Sequence, residues 1–183
     1  SRPRATTQAA HEERVVGRAP QGLAEQPQGV ASDLPPPEPL AASDEKEAAA
    51  LIDMFGEHRV RCLYSNQWNL RQHALMQIEQ MLPELMQRSD GRQVVENVCY
   101  VVALRASETP MLVQVFRAAM DLCISLFSFP AVGNLPRAEW QQLTRELTPK
   151  LISRLGDGNH RVKDASERAL LAICRLPQLG PVP

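Results

Sequence analysis

The chain has 183 residues, of which 44% are hydrophobic and 22% charged, and its formal net charge at pH 7 is −1. This composition predicts a soluble protein with one compact region and an additional segment, and it excludes nucleic-acid binding through bulk positive charge. The chain begins at Ser1 rather than Met, and no apolar run is long enough to span a bilayer or form a signal sequence. We therefore expect a cytosolic fragment of a longer protein that does not contact a membrane.

Residues 1–43 are predicted to form a disordered, proline-rich linker. This segment holds seven of the fifteen prolines and has no aromatic residue. Such a composition cannot bury enough apolar area to offset the entropy of ordering the chain. The run PPPEP at 35–39 is expected to be a stiff polyproline spacer just before the folded region, which we place at residues 44–183.

A short motif within this linker, SDLP at 32–35, resembles the Ser-x-Ile/Leu-Pro motif by which microtubule tip-tracking partners bind end-binding proteins. Such motifs normally lie among basic residues, whereas this one has Glu25, Asp33 and Glu38 nearby. We therefore interpret it as a chance match.

From Asp44 onward, apolar residues recur at the spacing of one helix face. The apolar stripes are Leu51, Ile52, Phe55, Cys62 and Leu63; Leu75, Ile78, Leu82 and Leu85; and Leu112, Val115, Phe116, Ala119, Cys123 and Ile124. VVENVCYVVAL at 94–104 is rich in β-branched residues but keeps the helical spacing, so we assign it to a buried helix. Helices are predicted to kink or end at Pro83 and Pro149, and one is predicted to start with Thr109 as its N-cap.

The six predicted helices form three hairpins that share a pattern of small residues. Leu70, Ala74, Leu75 and Ile78 correspond to Gln114, Ala118, Ala119 and Leu122, and then to Arg161, Ala165, Ser166 and Ala169. A period in the forties with two helices per unit indicates an all-α solenoid of HEAT-type repeats, in which small residues let paired helices approach closely. The three within-repeat turns, at 65–68, 107–110 and 156–160, are then expected on one edge of the stack.

Trp68 lies in the first of these turns, beside amide side chains and outside the apolar stripe that follows. Tryptophan and arginine are the residue types most often found as interface hot spots, where truncation costs ~2 kcal/mol or more. We therefore predict a partner-binding surface along the edge. Its candidate contact residues are Asn66, Trp68, Met111, Asn159, Arg161 and Lys163. The alternative is that Trp68 packs as a hydrophobic staple against its own helix.

Nothing in the sequence indicates an enzyme, a metal site or a cofactor. The four histidines are isolated, without H-E-x-x-H spacing or a cysteine at ligand spacing. The four cysteines form no C-x-x-C pair, and we expect them to be small buried hydrophobes in a reducing compartment. Asp157 and Asp164 flank the start of the last helix, where they suit a capping role. Trp140 has helical spacing with Leu143 and Leu147 and is expected in the core.

The stretch IDMFGEHRVRCLYSNQWNLRQHAL, residues 52–75, resembles the opening of a TOG domain, the tubulin-binding HEAT array of microtubule regulators. It is most similar to the TOG domain of a centrosomal ciliary-tip protein family, whose pattern contains the same Tyr-Ser, the tryptophan and an arginine three residues later. The resemblance covers about 44–175 and is strongest over 51–78. It implies a protein of the cytoplasm and cytoskeleton, at the centrosome, the centriole or the ciliary tip.

The resemblance also implies roles for particular residues. TOG domains grip the curved tubulin heterodimer with their within-repeat turns, so Trp68 is expected to contact β-tubulin, and Asn159, Arg161 and Lys163 to reach toward α-tubulin. Arg71 is expected to brace the first turn. Other ciliary or centriolar proteins are further expected partners. A TOG domain has about twice the repeats predicted here, so we expect the N-terminal part of one.

Two alternatives remain open from the residues themselves. A generic HEAT-repeat scaffold, unrelated to tubulin, would bind a peptide or another subunit through its concave face. A nucleic-acid binder would use Arg161, Lys163 and Arg168. From Asp44 onward, however, sixteen basic residues are balanced by sixteen acidic ones, so we expect no nucleic-acid partner.

Overall fold

The computed structural model describes residues 34–130, 132 and 135–176, and all regular structure in these residues is helical. The helices are α1 (Glu45–Phe55), α2 (Glu57–Tyr64), α3 (Trp68–Arg88), α4 (Gly91–Ala106), α5 (Val113–Phe127), α6 (Arg137–Thr144), α7 (Leu147–Arg154) and α8 (His160–Cys174). None of these eight helices has both the length and the apolar character needed to cross a membrane. The predicted all-α class is confirmed.

Three helical hairpins stack in two layers. In one layer α3 packs on α5, and α5 packs on α8. In the other layer α4 contacts α1 of the first hairpin and both α6 and α7 of the third. The two layers are joined within each hairpin by the pairs α2 with α3, α4 with α5, and α7 with α8. This arrangement is the predicted HEAT-type solenoid.

The small residues that recur in the three hairpins lie in the core. All of them are buried: Ala74, Ala118, Ala119, Ala165, Ser166 and Ala169. They occupy α3, α5 and α8, the three helices that form one layer, where small side chains allow close approach of the helix axes. The hydroxyl of Ser166 donates to the Val162 carbonyl at 3.0 Å, so its burial leaves the donor satisfied.

The large aromatic and cysteine side chains mostly lie where the periodicity predicts. Trp140 is fully buried, its ring centroid lies 5.4 Å from that of Phe127, and its Nε1 donates to the Val132 carbonyl at 3.1 Å. Three cysteines are buried, but Cys174 is exposed, so the prediction is wrong for that residue. The reason is that Cys174 comes directly after Ile173, the last member of the buried stripe on α8.

Six predicted helices become eight because two of them are split. Gly56 separates α1 from α2 and has φ 85° and ψ 146°, a conformation that residues with a side chain rarely adopt. Its N–H still donates to the Ile52 carbonyl at 2.9 Å, so the first helix ends without losing that bond. The second break lies between Thr144 and Leu147, and it separates α6 from α7.

Three helix boundaries near prolines differ from those predicted. Pro83 lies inside α3, which continues to Arg88, because buried side chains on both sides of the proline hold the helix against the core. Pro149 is the third residue of α7, where its missing N–H costs no intrahelical bond. The fifth helix begins at Val113 with Leu112 as its N-cap, and not after Thr109, so the second turn is longer than predicted.

The end of the predicted linker packs against the helices. Pro37 is buried, and Arg61 of α2 donates to the carbonyl oxygens of Pro37 at 2.8 Å and Glu38 at 3.2 Å. The segment from Leu34 onward therefore packs with the helical unit, which the predicted boundary at residue 43 did not include. Residues 1–33, with the first half of the SDLP motif, lie outside the described residues.

The break at Gly56 leads to a prediction. A Cβ at this position would meet no atom closer than Arg59 Nη1 at 3.7 Å, so only the positive φ opposes a side chain. We expect Gly56→Ala to lower the free energy of unfolding by roughly 1–2 kcal/mol, measured by urea denaturation. Gly158→Ala has open space and no positive φ, and it is the matched control. If the two variants are equally stable, the positive φ of Gly56 does not strain a side chain at this position.

Candidate partner-binding edge

The three within-repeat turns are bonded to one another in a row, here called the turn edge (65–67, 107–112 and 155–159). Arg71 donates to the Ser65 carbonyl in the first turn at 2.6 Å, and its Nε lies 3.2 Å from Oε1 of Glu108 in the second. Arg154 donates to the Glu108 carbonyl at 3.3 Å and lies 3.5 Å from Asp157 in the third turn. These contacts place the turns along one edge, as predicted.

The carboxylate of Glu108 lies at the centre of this network. It contacts the guanidinium groups of Arg71 and Arg105, and the three side chains are only 17%, 12% and 7% exposed, respectively. Burial lowers the pKa of Arg105, and the charge of Glu108 acts in the opposite direction. Although Glu108 belongs to the second turn, its side chain is turned inward, toward these two arginines.

The Trp68 side chain is the large aromatic group that the edge offers to a partner. It is the first residue of α3 and is 45% exposed, whereas Trp140 is fully buried. Asn66, in the same turn, is also exposed. An indole that is nearly half exposed is poorly covered by its own helix, which disfavours the hydrophobic staple.

The other predicted contact residues differ in how exposed their side chains are and in whether those side chains already form hydrogen bonds. Met111 is half-buried and packs against the core. Asn159 is exposed, but its side-chain oxygen accepts from the Arg161 N–H at 3.0 Å and so caps α8. Asp157 accepts from the Asn159 N–H at 2.9 Å and stabilises the turn ahead of the helix. Asp157 and Asp164 were predicted to cap this helix, but Asn159 is its N-cap.

A groove of about 640 Å³ lies between the start of α5 and the third turn. Its lining residues are Val113, Gln114, Arg117, Gly158, Asn159, His160 and Arg161. Arg117 and Arg161 are exposed, and neither forms an ion pair within the described residues. Lys163 is exposed but is not part of the groove, because two residues correspond to roughly 200° around the helix.

Arg117 and Gln114 line the groove but are not among the contacts predicted from the sequence. Both lie within α5 and not in a turn, and only the packing of α5 against α8 brings them next to the third turn. The apolar residues around them predict the helix. Nothing in the local sequence, however, shows that a charged residue on the exposed face of that helix belongs to a site. Arg71, which was predicted to brace the first turn, contacts both the first and the second.

No cluster of side chains in the described residues is suited to metal binding, and His58, predicted to be isolated, has its Nε2 3.7 Å from Sγ of Cys62. No group of three or more His, Cys, Asp or Glu side chains in this part of the chain is placed to hold a metal ion. Burial raises the pKa of Cys99 to about 12, which keeps that thiol protonated at neutral pH. The turn edge carries an exposed indole, exposed amide side chains and cations that form no ion pair with the residues described.

The stacked hairpins and the row of turns define the class of protein, a HEAT-type helical repeat module. The family described as centrosomal protein CEP104, TOG domain, matches residues 45–176. The chain therefore belongs to this family.

Curated relatives and solved structures agree with this family. The mouse and human proteins named centrosomal protein of 104 kDa are 27% and 25% identical over 139 and 131 residues, covering 74% and 69% of this chain. The chain spans only 14% of the length of each. The TOG domain of human Cep104 and a second CEP104 TOG structure give TM-scores of 0.64 and 0.65 at 19% and 23% identity. These two alignments cover 80% and 78% of this chain and 57% of each structure, and they show the shared fold.

Proposed function

We propose that this chain is a tubulin-binding module that grips the tubulin heterodimer through the turn edge. The observation that carries the proposal is the half-exposed indole of Trp68 beside a row of turns that two partly buried arginines, Arg71 and Arg154, join together. Because these turns are already fixed to one another, little conformational freedom is lost when a rigid partner binds across them. Trp68 combines a large apolar area with an N–H donor, as interface hot spots commonly do.

The arginines near the turn edge divide into two groups with different roles. Arg71, Arg105 and Arg154 all contact Glu108, and they hold the turns in place. Arg117 and Arg161, by contrast, have no carboxylate partner within the described residues and line the groove at the third turn. Unpaired guanidinium groups at the rim of an interface favour an acidic surface on the partner and speed its association.

The proposal assigns the two ends of the edge to the two tubulin subunits. Trp68, with Asn66, is proposed to contact β-tubulin, and Met111 to add apolar contact at the second turn. Asn159, Arg161 and Lys163 are proposed to reach toward α-tubulin, together with Arg117 in the groove. The protein that contains this chain is proposed to act at the centrosome, the centriole or the ciliary tip, since the named relatives are centrosomal proteins.

The test of the proposal is co-elution of the purified chain with tubulin dimers in size-exclusion chromatography. A complex is expected that forms at low salt and weakens as salt is added, because part of the contact is between exposed charges. If the chain and tubulin elute separately at every salt concentration, the chain is instead the alternative, a HEAT scaffold for another protein.

The groove at the third turn leads to a prediction of its own. We expect the double substitution Arg117→Ala and Arg161→Ala to weaken tubulin binding roughly tenfold and to reduce its salt dependence, because two rim cations are lost. Binding kinetics measured at two salt concentrations check this, and most of the change is expected in the association rate. Arg88→Ala is the matched control, since Arg88 is an exposed arginine at the far end of α3. An equal loss in the control would show a general charge effect and no specific contact.

A further inference from the structure

Residues 34–40, here called the strap, lie against α2 and the first turn. Leu34 and Leu40 pack against the hydrophobic core, and Pro37 between them is buried. Arg61 of α2 donates to the carbonyl oxygens of Pro37 and Glu38. Proline has no N–H to satisfy, so an extended strap rich in proline can be held through its carbonyl groups alone. The strap is thus attached at both ends and in the middle.

The strap reaches the first turn through one side chain, Glu38. The buried hydroxyl of Ser65 donates to Oε2 of Glu38 at 2.5 Å and accepts from the Gln67 N–H at 3.0 Å. A hydroxyl has a single proton, so donation to Glu38 leaves the oxygen lone pairs free to accept from Gln67. The pKa of Glu38 is lowered from its ordinary value, chiefly because the Ser65 hydroxyl donates to the carboxylate.

The bond to Ser65 matters because of where the turn leads. Gln67 is the N-cap of α3 but makes no capping bond with its own side chain, and the next residue is Trp68. The Ser65 carbonyl is held by Arg71, whereas the Ser65 hydroxyl is held by Glu38. The backbone that carries the exposed indole is therefore fixed from two sides, by α3 and by the strap.

We propose that the strap positions Trp68 for binding, with Glu38 as the positioning residue and Arg61 as its anchor on α2. The strap is then a working part of the binding module and not a passive linker. The effect on binding rests on the proposed function, but the ordering of the first turn does not. A contact residue must be held within a fraction of an ångström to realise its full contribution, which is the reason for a second support.

The first experiment needs no partner. In the full chain, Glu38→Ala is expected to speed amide hydrogen exchange at residues 66–68 roughly tenfold, the scale of a lost hydrogen bond to a charged group. Glu38→Gln keeps an acceptor for Ser65, so its exchange rate at these residues is expected to lie between those of the unmodified chain and Glu38→Ala. Glu96→Ala is the matched control, because Glu96 is an exposed glutamate of α4 that forms no ion pair with any described residue. If amide exchange at residues 66–68 is unchanged in Glu38→Ala, the proposal that the strap orders the first turn is overturned.

The second experiment measures tubulin binding by the same variants. Glu38→Ala is expected to bind several-fold more weakly than the unmodified chain, with an unchanged melting temperature, because Glu38 lies at the surface. If the unmodified chain binds and Glu38→Ala binds equally well, the positioning role is overturned. If the unmodified chain does not bind but exchange at 66–68 rises in the variant, the proposed function fails while the ordering of the turn by Glu38 stands.

Discussion

Trp68→Ala is expected to weaken binding to tubulin dimers at least about thirtyfold, which corresponds to ~2 kcal/mol. The indole lies at one end of the turn edge, is 45% exposed, and has no other large exposed aromatic near it in the first turn. A partner that covers it would remove most of that area from water, and alanine cannot replace the contact. Titration of labelled tubulin with the unmodified chain and with the variant measures the change.

The control for this prediction separates contact from folding. Leu171→Ala removes a similarly exposed apolar side chain, which lies on α8 well beyond the third turn. Leu171→Ala is expected to bind tubulin like the unmodified chain. The melting temperatures of Leu171→Ala and Trp68→Ala should both lie within a few degrees of that of the unmodified chain. Tubulin binding that survives in Trp68→Ala, with an intact fold, would remove the main reason for assigning the turn edge as the interface.

Glu108→Ala is expected to have the largest effect on stability, a loss of about 3 kcal/mol in the free energy of unfolding. The substitution leaves the guanidinium groups of Arg71 and Arg105 without their shared carboxylate, although both side chains are largely buried. An unpaired buried charge keeps the cost of its desolvation and loses the attraction that offset it. The estimate lies at the lower end of the usual range because Glu108 itself is partly exposed. Equilibrium unfolding in urea measures the loss.

A second substitution makes the prediction about Glu108 specific. Combining Glu108→Ala with Arg105→Met is expected to recover part of the lost stability, because the most deeply buried of the unpaired charges is then removed. Glu96→Ala, which removes an exposed carboxylate elsewhere on the second hairpin, should change stability by less than about 0.5 kcal/mol. If Glu108→Ala is as stable as this control, the network does not hold the turns together.

These two predictions concern the exposed and the inward-facing side chains of the same turn edge. Trp68 faces outward and its truncation is expected to affect binding alone, whereas Glu108 faces inward and its truncation is expected to affect stability first. Because Glu108 joins the first turn to the second through Arg71, its loss is also expected to loosen the surface that carries Trp68. The turn edge therefore depends on buried charge pairs for its shape and on exposed groups for contact.

The architecture and the central aromatic residues could be predicted from the sequence by itself. Apolar residues at helical spacing predicted an all-α fold. The recurrence of Ala74, Ala118 and Ala165 predicted stacked hairpins, because a helix that packs closely on its neighbour needs small residues at regular spacing. The same periodicity separated Trp140, which lies on an apolar stripe, from Trp68, which does not. These features depend on residues close together in the chain, so local pattern was sufficient.

The tertiary structure alone decided the details of the edge. Glu108 and Arg71 are 37 positions apart in the sequence, and Glu38 and Ser65 are separated by 27; only the stacking of hairpins and the path of the strap bring them together. Arg117 became a candidate contact in the same way, through the packing of α5 on α8. An ion pair or hydrogen bond depends on distances of a few ångströms between side chains, and periodicity specifies which face of a helix is buried but not which charged groups then meet across it.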